Sequence, residues 1–160
     1  MVSESDMRLV MGKFATGVVV VTTVDKIGRP HFMTANSLTS VSLLPPLILI
    51  SVGHERNSFK FLEETGRFGI SILRSDQQAI AFQSSQSEKN DCEVASVPYD
   101  LNSHSMPMIS GCLGFLECLV ENQHTYGDHS VFIGLVTKTK TYSGSPLLFF
   151  EGKWAEMTGD

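Results

Sequence analysis

The sequence predicts a mainly β fold, an antiparallel barrel with short helices at its periphery. Three observations predict it. Apolar, β-branched runs of strand length recur, as at residues 18–24 and 47–52. Strand-like segments outnumber helical ones and do not alternate with them as βαβ units require. No G-x-G-x-x-G follows a strand and no G-x-x-x-x-G-K-[ST] occurs, so the two usual sequence routes to nucleotide phosphate binding are missing.

Taken in order, Met7, Val10, Met11 and Phe14 fall at i, i+3, i+4 and i+7, which makes one apolar helical face with Gly17 as its stop. Residues 18–24 read as a buried strand, 25–28 as a turn, and 30–35 as the returning strand. Residues 47–52 form another buried strand. Asn57 or Ser58 would cap a short helix ending at Gly66. Residues 68–73 alternate as a strand. Ser75 with Gln78 matches a capping box, which opens a helix running to about Gln86. Residues 87–110 are polar and irregular, and their length predicts a mobile or partner-covering loop. Two long strands follow at 114–125 and 130–141, joined by the hairpin-like turn Tyr126-Gly127-Asp128-His129. A last strand pair, 147–150 and 153–157, turns around Gly152.

The chain of 160 residues suits a single domain over 1–160, without internal repeats. With 42% hydrophobic and 18% charged residues it is ordinary for a globular protein. A domain of this size buries roughly two-thirds of its unfolded surface and needs no disulfide or metal to fold. The net charge of −5 and the lack of any basic block argue against nucleic acid and anionic membrane as partners. The first residues lack a cationic stretch followed by an apolar core, so no secretory signal is expected. No apolar run approaches the roughly 20 residues of a membrane helix. Cys92, Cys112 and Cys118 are odd in number and make no C-x-x-C. They predict reduced, structural thiols in a cytoplasmic protein and no zinc site.

Chemistry concentrates in two places. Residues 33–42 read MTANSLTSVS, and six of the nine residues from Thr34 to Ser42 carry a hydroxyl or an amide. Buried strands flank the segment and Pro45-Pro46 closes it. Small polar residues held between strands bring backbone N–H and C=O close to a flat ligand. A flavin fits that description, with acceptors and one N–H donor on its ring edge and hydroxyls and phosphate in its tail. Asn36 and Ser37 are the best donors, while Ala35 and Val41 can lie against an aromatic plane. The second place is Gly127-Asp128-His129. A Gly-Asp pair is a common turn, but a histidine at a strand start can donate to a carboxamide or phosphate, or stack on a pyridine ring. His31, His54, His104 and His124 show no metal-like spacing, and no G-x-S-x-G elbow exists. Trp154 and Phe149-Phe150 read as core or interface residues.

Together these residues resemble the flavin reductase-like domain, the small reductase components of two-component flavin monooxygenases and their flavoredoxin-type relatives. The resemblance runs from about Met7 to Met157. It is carried by Met11-Gly12-x-Phe14-Ala15-Thr16-Gly17-Val18, Val20-Val21-Thr22-Thr23, Met33-Thr34-Ala35-Asn36-Ser37, Ser40-Val41-Ser42, Pro45-Pro46-Leu47, Leu116-Glu117-Cys118, Gly127-Asp128-His129, Ile133-Gly134 and Pro146-Leu147-Leu148. The chain departs from the family pattern at Leu44, where Asp is common, and at Glu88-Lys89-Asn90-Asp91 after the second helix.

The resemblance implies a split antiparallel β-barrel of Greek-key-like connectivity, usually a homodimer, that binds flavin. Met33, Thr34, Ala35, Asn36, Ser37, Ser40, Val41 and Ser42 would contact the isoalloxazine and ribityl chain. Ser51 and Val52, with the helix start near Ser58, would lie toward the phosphate, and Phe82 and Gln83 near the tail. His129 would lie by the nicotinamide, on the same turn as Gly127 and Asp128. The implied activity is hydride transfer from NADH or NADPH to FMN or FAD, with the reduced flavin passed to a partner oxygenase. Two other readings stay open: an electron carrier with tightly held FMN, and a non-catalytic flavin-binding module.

Overall fold

The computed structural model describes residues 1–86, 97–101 and 105–157. Its centre is one seven-stranded antiparallel sheet. The strands are β2 (Val19–Val24), β3 (Pro30–Ala35), β4 (Thr39–Leu43), β5 (Pro46–Gly53), β6 (Arg67–Ile72), β9 (Gly114–Tyr126) and β10 (His129–Thr141), in the order β3-β2-β6-β9-β10-β5-β4. A second sheet joins β1 (Thr16–Gly17), β11 (Leu148–Phe150) and β12 (Lys153–Ala155). A small ribbon pairs β7 (Tyr99–Asp100) with β8 (Met108–Ile109). The described residues include three α-helices, α1 (Glu4–Gly12), α2 (Asn57–Thr65) and α3 (Gln78–Gln86), of which α2 and α3 pack on the sheet.

The continuous apolar run in β2 has a direct cause. Every residue of β2 is buried, because the strand faces a core on each side. Val19 and Val21 point inward with Met33, Ile50, Phe68, Ile70, Cys118 and Phe132, and α2 closes that core with Leu62. Val18, Val20 and Val24 point the other way, against Phe32, Leu73, Ala81, Met106, Phe115 and Leu147. A strand buried on both faces cannot alternate with polar residues.

Glycine allows two close approaches inside the barrel. A Cβ on Gly69 would lie 2.4 Å from Thr22 Oγ1, and one on Gly134 would lie 2.5 Å from Phe68 Cζ. Both strands run too close to their neighbours for any side chain.

Several sequence expectations shift. The helix α1 starts on Ser3, whose hydroxyl accepts from Asp6 N–H at 3.1 Å, and it stops at Gly12. Gly17 instead sits in β1. The periodic face is present, yet Met7, Val10, Met11 and Phe14 stay exposed because no element of the described chain packs on them. Arg56, not Asn57 or Ser58, occupies the cap position of α2, without a side-chain cap bond; Gly66 ends the helix at φ 63 as expected. The capping interaction before α3 falls one residue earlier than the spacing suggested: Gln77 Oε1 accepts from Arg74 N–H at 3.0 Å and opens a 3-10 turn. Residues 39–43 form a strand, where composition suggested a polar segment continuous with 33–38. The loop expected over 87–110 lies largely outside the described residues, apart from the β7–β8 ribbon and its flanks.

Candidate functional site

The site follows from how the sheet ends. Strands β3 and β4 are its two edges, and residues 36–38 connect them. Strand β4 pairs β5 only as far as Thr39 opposite Leu49. Ser51, Val52 and Gly53 therefore run past the end of β4, paired on one side only, to β10. Among the described residues no strand pairs the outer edge of β3 either. Two half-paired strands thus face each other across a gap.

Ser37 spans that gap. Its hydroxyl donates to Ser51 C=O at 2.9 Å and accepts from Ser51 N–H at 3.2 Å. The connecting loop is thereby tied to β5. Beside this stitch lies a cavity of about 260 Å³, lined by Met33, Thr34, Ala35, Asn36, Ser37, Ser51, Val52, Gly53, Arg56 and His129.

The far wall is the β9–β10 hairpin. Tyr126 pairs with His129, which leaves Gly127 and Asp128 as a two-residue loop with Gly127 at φ 60. Asp128 C=O accepts from His54 N–H at 3.0 Å and anchors the loop to the end of β5. The His129 Nδ1 lies 2.8 Å from Asp128 Oδ1. An ionised carboxylate only accepts, so Nδ1 carries the proton and Nε2 is left for a ligand. The hydrogen bond from His129 holds the Asp128 carboxyl below the usual aspartate range. The imidazole rests over Gly53, where a Cβ would come 3.4 Å from Nε2. Behind it, buried Ser130 joins His54 Nε2 at 3.0 Å and Thr125 Oγ1 at 3.1 Å.

Two further cavities share the Asn36 loop. The larger, about 640 Å³, is lined mainly by apolar residues from Met11 and Phe14 to Leu38 and Ile72. The other, about 320 Å³, lies between residues 34–36 and the C-terminal hairpin. Asn36 is exposed and borders all three.

Comparison with known proteins then decides the family. Residues 11–158 match the model of the flavin reductase like domain. The chain belongs to this flavin reductase family. It is 34% identical over 158 residues to an NADH-dependent flavin reductase of a Rhodococcus species, covering 98% of this chain and 88% of that one. Among solved structures it is similar to the flavin reductase PheA2 in its native state, with TM-score 0.90, 34% identity, and coverage of 99% of this chain and 100% of that one. It is also similar to BorF, the flavin reductase component of a bacterial two-component tryptophan halogenase, with TM-score 0.88, 31% identity, and coverage of 99% and 100%.

Within this flavin reductase fold, the residues picked from sequence divide into groups. Met33, Thr34, Ala35, Asn36, Ser37, Ser51, Val52 and His129 line one cavity, with Gly127 and Asp128 in the loop behind the histidine. Ser40 and Ser42 line a separate pocket with Leu43, Pro46, Leu116 and Val136, and Val41 is half exposed on the same edge strand. Ser58 is buried in the first turn of α2, outside the cavity wall. Phe82 is exposed on α3 beside the half-buried Gln83. Sequence reading missed Gly53 and Arg56. A glycine ending an apolar run and a cation just ahead of a helix were the available signals. Among the described residues no group of three His, Cys, Asp or Glu side chains could hold a metal ion.

The cavity fits a flavin on the chemistry of its donors. Among the described residues no strand takes the main-chain groups on the outer edge of β3, the small side chains of Thr34 and Ala35 leave that edge accessible, and Asn36 adds an amide with both donor and acceptor.

Proposed function

We propose that this protein is an NAD(P)H-dependent flavin reductase that transfers a hydride from reduced nicotinamide to FMN or FAD. The observation that carries the reading is the edge of β3, which no strand pairs among the described residues, facing the overhang of β5, with an oriented histidine at the far end, in a chain of the flavin reductase family. When bound, the flavin supplies the hydride acceptor and the dihydronicotinamide the hydride.

What remains for the chain is positioning. Residues 33–37 hold the flavin through main-chain groups and Asn36, with Ser51 and Val52 on the opposite wall. The Ser37–Ser51 stitch fixes the spacing of these walls before any ligand arrives. Asp128 sets the tautomer and orientation of His129, whose Nε2 then meets the carboxamide of the nicotinamide. Ser40, Val41, Ser42, Ser58, Phe82 and Gln83 stand away from the cavity and act, on this reading, through strand and helix placement. No residue is required to exchange a proton.

We also propose that the protein works as a homodimer in the cytoplasm and supplies reduced flavin to a flavin-dependent oxygenase. The apolar face of α1 supports the dimer, together with Leu43 and Leu44 at 89% and 93% exposure. Surface of that kind is costly to leave in water. The likeness to a halogenase's reductase component supports the oxygenase partner.

Stopped-flow mixing with NADH and NADPH, with FMN and FAD each supplied, tests the activity through bleaching of the flavin band. His129→Ala should slow NADH-dependent reduction and leave flavin affinity nearly unchanged. An equal loss of flavin binding would refute the role given to the histidine.

A further inference from the structure

We propose that the cleft between β3 and the C-terminal hairpin seats the adenine of a flavin dinucleotide, so that the chain reads FAD beyond its ring. The inference rests on the flavin reductase reading and names the subsite that would separate FAD from FMN.

The cleft holds about 320 Å³, at the lower end of the range for small-molecule pockets. Its aromatic wall is built by register. Phe149 in β11 pairs directly with Trp154 in β12, and the two rings stand 5.2 Å apart at 59°. Glu151 and Gly152 make the hairpin loop with φ of 49 and 76, the left-handed pair that a tight two-residue turn requires. Both rings are only half-buried, so each keeps surface toward the cleft. Val18 and residues 34–36 form the opposite side.

The polar groups select the occupant. None of the lining residues is charged, which favours a neutral planar ring over a phosphate. At the rim, Ser85 Oγ donates to Phe82 C=O at 2.6 Å and accepts from Gln86 Nε2 at 3.3 Å. Its proton is committed and one lone pair remains, which suits an exocyclic amine and not a carbonyl. Adenine meets that condition through its amine at C6, whereas hypoxanthine carries a carbonyl there and no exocyclic amine. Asn36, on the same rim, offers an amide to the rest of the base edge.

Position selects the flavin as the source of the adenine. Thr34, Ala35 and Asn36 line both this cleft and the cavity assigned to the flavin ring. Gly53, Arg56 and His129, at the hydride donor's end, line only the latter. A tail leaving the flavin has a short path over the shared rim.

Trp154 is the only tryptophan in the chain, so its fluorescence reports on the cleft. Titration of the wild-type protein with AMP, which lacks flavin absorbance, should quench that emission saturably, and IMP, which lacks the amine, should not. AMP should compete with FAD but not with riboflavin. In Trp154→Ala the Kd for FAD should rise about tenfold, as loss of one stacking partner implies. The Kd for FMN and riboflavin should stay within about twofold, and Trp154→Phe should restore FAD binding through its own ring.

Equal losses for FAD and FMN, or no AMP quenching, would overturn the proposal. A rise in KM for NADH with FAD affinity intact would place the hydride donor's adenine there and overturn it too. If Trp154→Ala does not fold, the wild-type AMP, IMP and competition measurements decide. Failure of NADH to reduce FMN with the wild-type protein would sink the reductase reading, while a preference for FAD over FMN would still report the adenine seat.

Discussion

Replacing Ser37 with alanine removes a hydroxyl that makes two hydrogen bonds to one residue on the opposite wall. It donates to Ser51 C=O at 2.9 Å and accepts from Ser51 N–H at 3.2 Å. Each such bond contributes about 0.5–1.5 kcal/mol net. Both residues are half-buried, so water can replace part of the loss. A destabilisation of about 1–2 kcal/mol follows. With a urea slope of about 2 kcal/mol per molar, the unfolding midpoint should fall by about 0.5–1 M with the slope unchanged. The stitch also sets the gap in which the flavin is proposed to sit. Its loss should raise the Kd for flavin several-fold, up to about tenfold if a further 1.4 kcal/mol goes into ordering residues 36–38 on binding. Thr65→Ala is the control. Its hydroxyl donates to Phe61 C=O at 2.8 Å, within α2 and away from the cavity. That change should leave flavin affinity alone. Wild-type flavin affinity in a destabilised Ser37→Ala protein would refute the claim that the stitch shapes the site.

Gly69→Ala should cost about 3 kcal/mol in urea or thermal melts, at the upper end for overpacking. Its Cβ meets Thr22 Oγ1 at 2.4 Å and Phe115 Cε2 at 2.8 Å, and Thr22 is held by its bond to Pro107 C=O at 2.7 Å; a near-neutral result would show that the core yields. Burial pushes the Glu117 carboxyl up, but the hydroxyl and N–H of Ser105 and the Lys138 ammonium outweigh it and hold it below 4.5. With the folded value depressed, its stabilisation is complete above the unfolded value and drains away as pH falls through the folded one. Urea midpoints measured between about pH 6 and pH 3 should fall less steeply in Glu117→Gln than in the wild type, and parallel curves would remove Glu117 from the acid response. Burial pushes the Cys118 thiol up to about 12, and it raises Cys112 as well. At about pH 8 a thiol reagent should leave both cysteines unmodified until denaturant is added, because the thiolate is the reactive form. Peptide mass spectrometry showing Cys118 labelled in the folded protein would contradict this.

Strands were legible where local pattern and burial agree. The β-branched run of β2 announced a strand buried on both faces. The turn at Gly127-Asp128 announced the longest hairpin, whose strands extend one residue beyond the expected bounds on the turn side. The helix α1 shows the limit of periodicity: its spacing is helical and its face apolar, yet burial depends on what lies opposite, which spacing does not encode. The cap before α3 slipped by one residue because Gln77 and Gln78 are chemically alike and only the backbone path distinguishes them.

In the site, residues 33–37 could be read because small polar side chains between strands are unusual. Ser40 to Ser42 share that composition, but the turn at 36–38 carries them to the other edge strand of the sheet, where Ser40 and Ser42 line a separate pocket. Gly53 and Arg56 were hidden because their role depends on how far β5 overruns β4, a matter of pairing register between strands.

The flank of β3, unpaired among the described residues, has a consequence for the protein when no flavin is bound. Main-chain groups arranged to receive a ligand are equally suited to receive an extended segment of another molecule, and sheet flanks of this kind seed clumping. Flavin would then act as a chaperone for its own carrier, with storage lifetime and solubility rising as the dye is added and falling when it is stripped away.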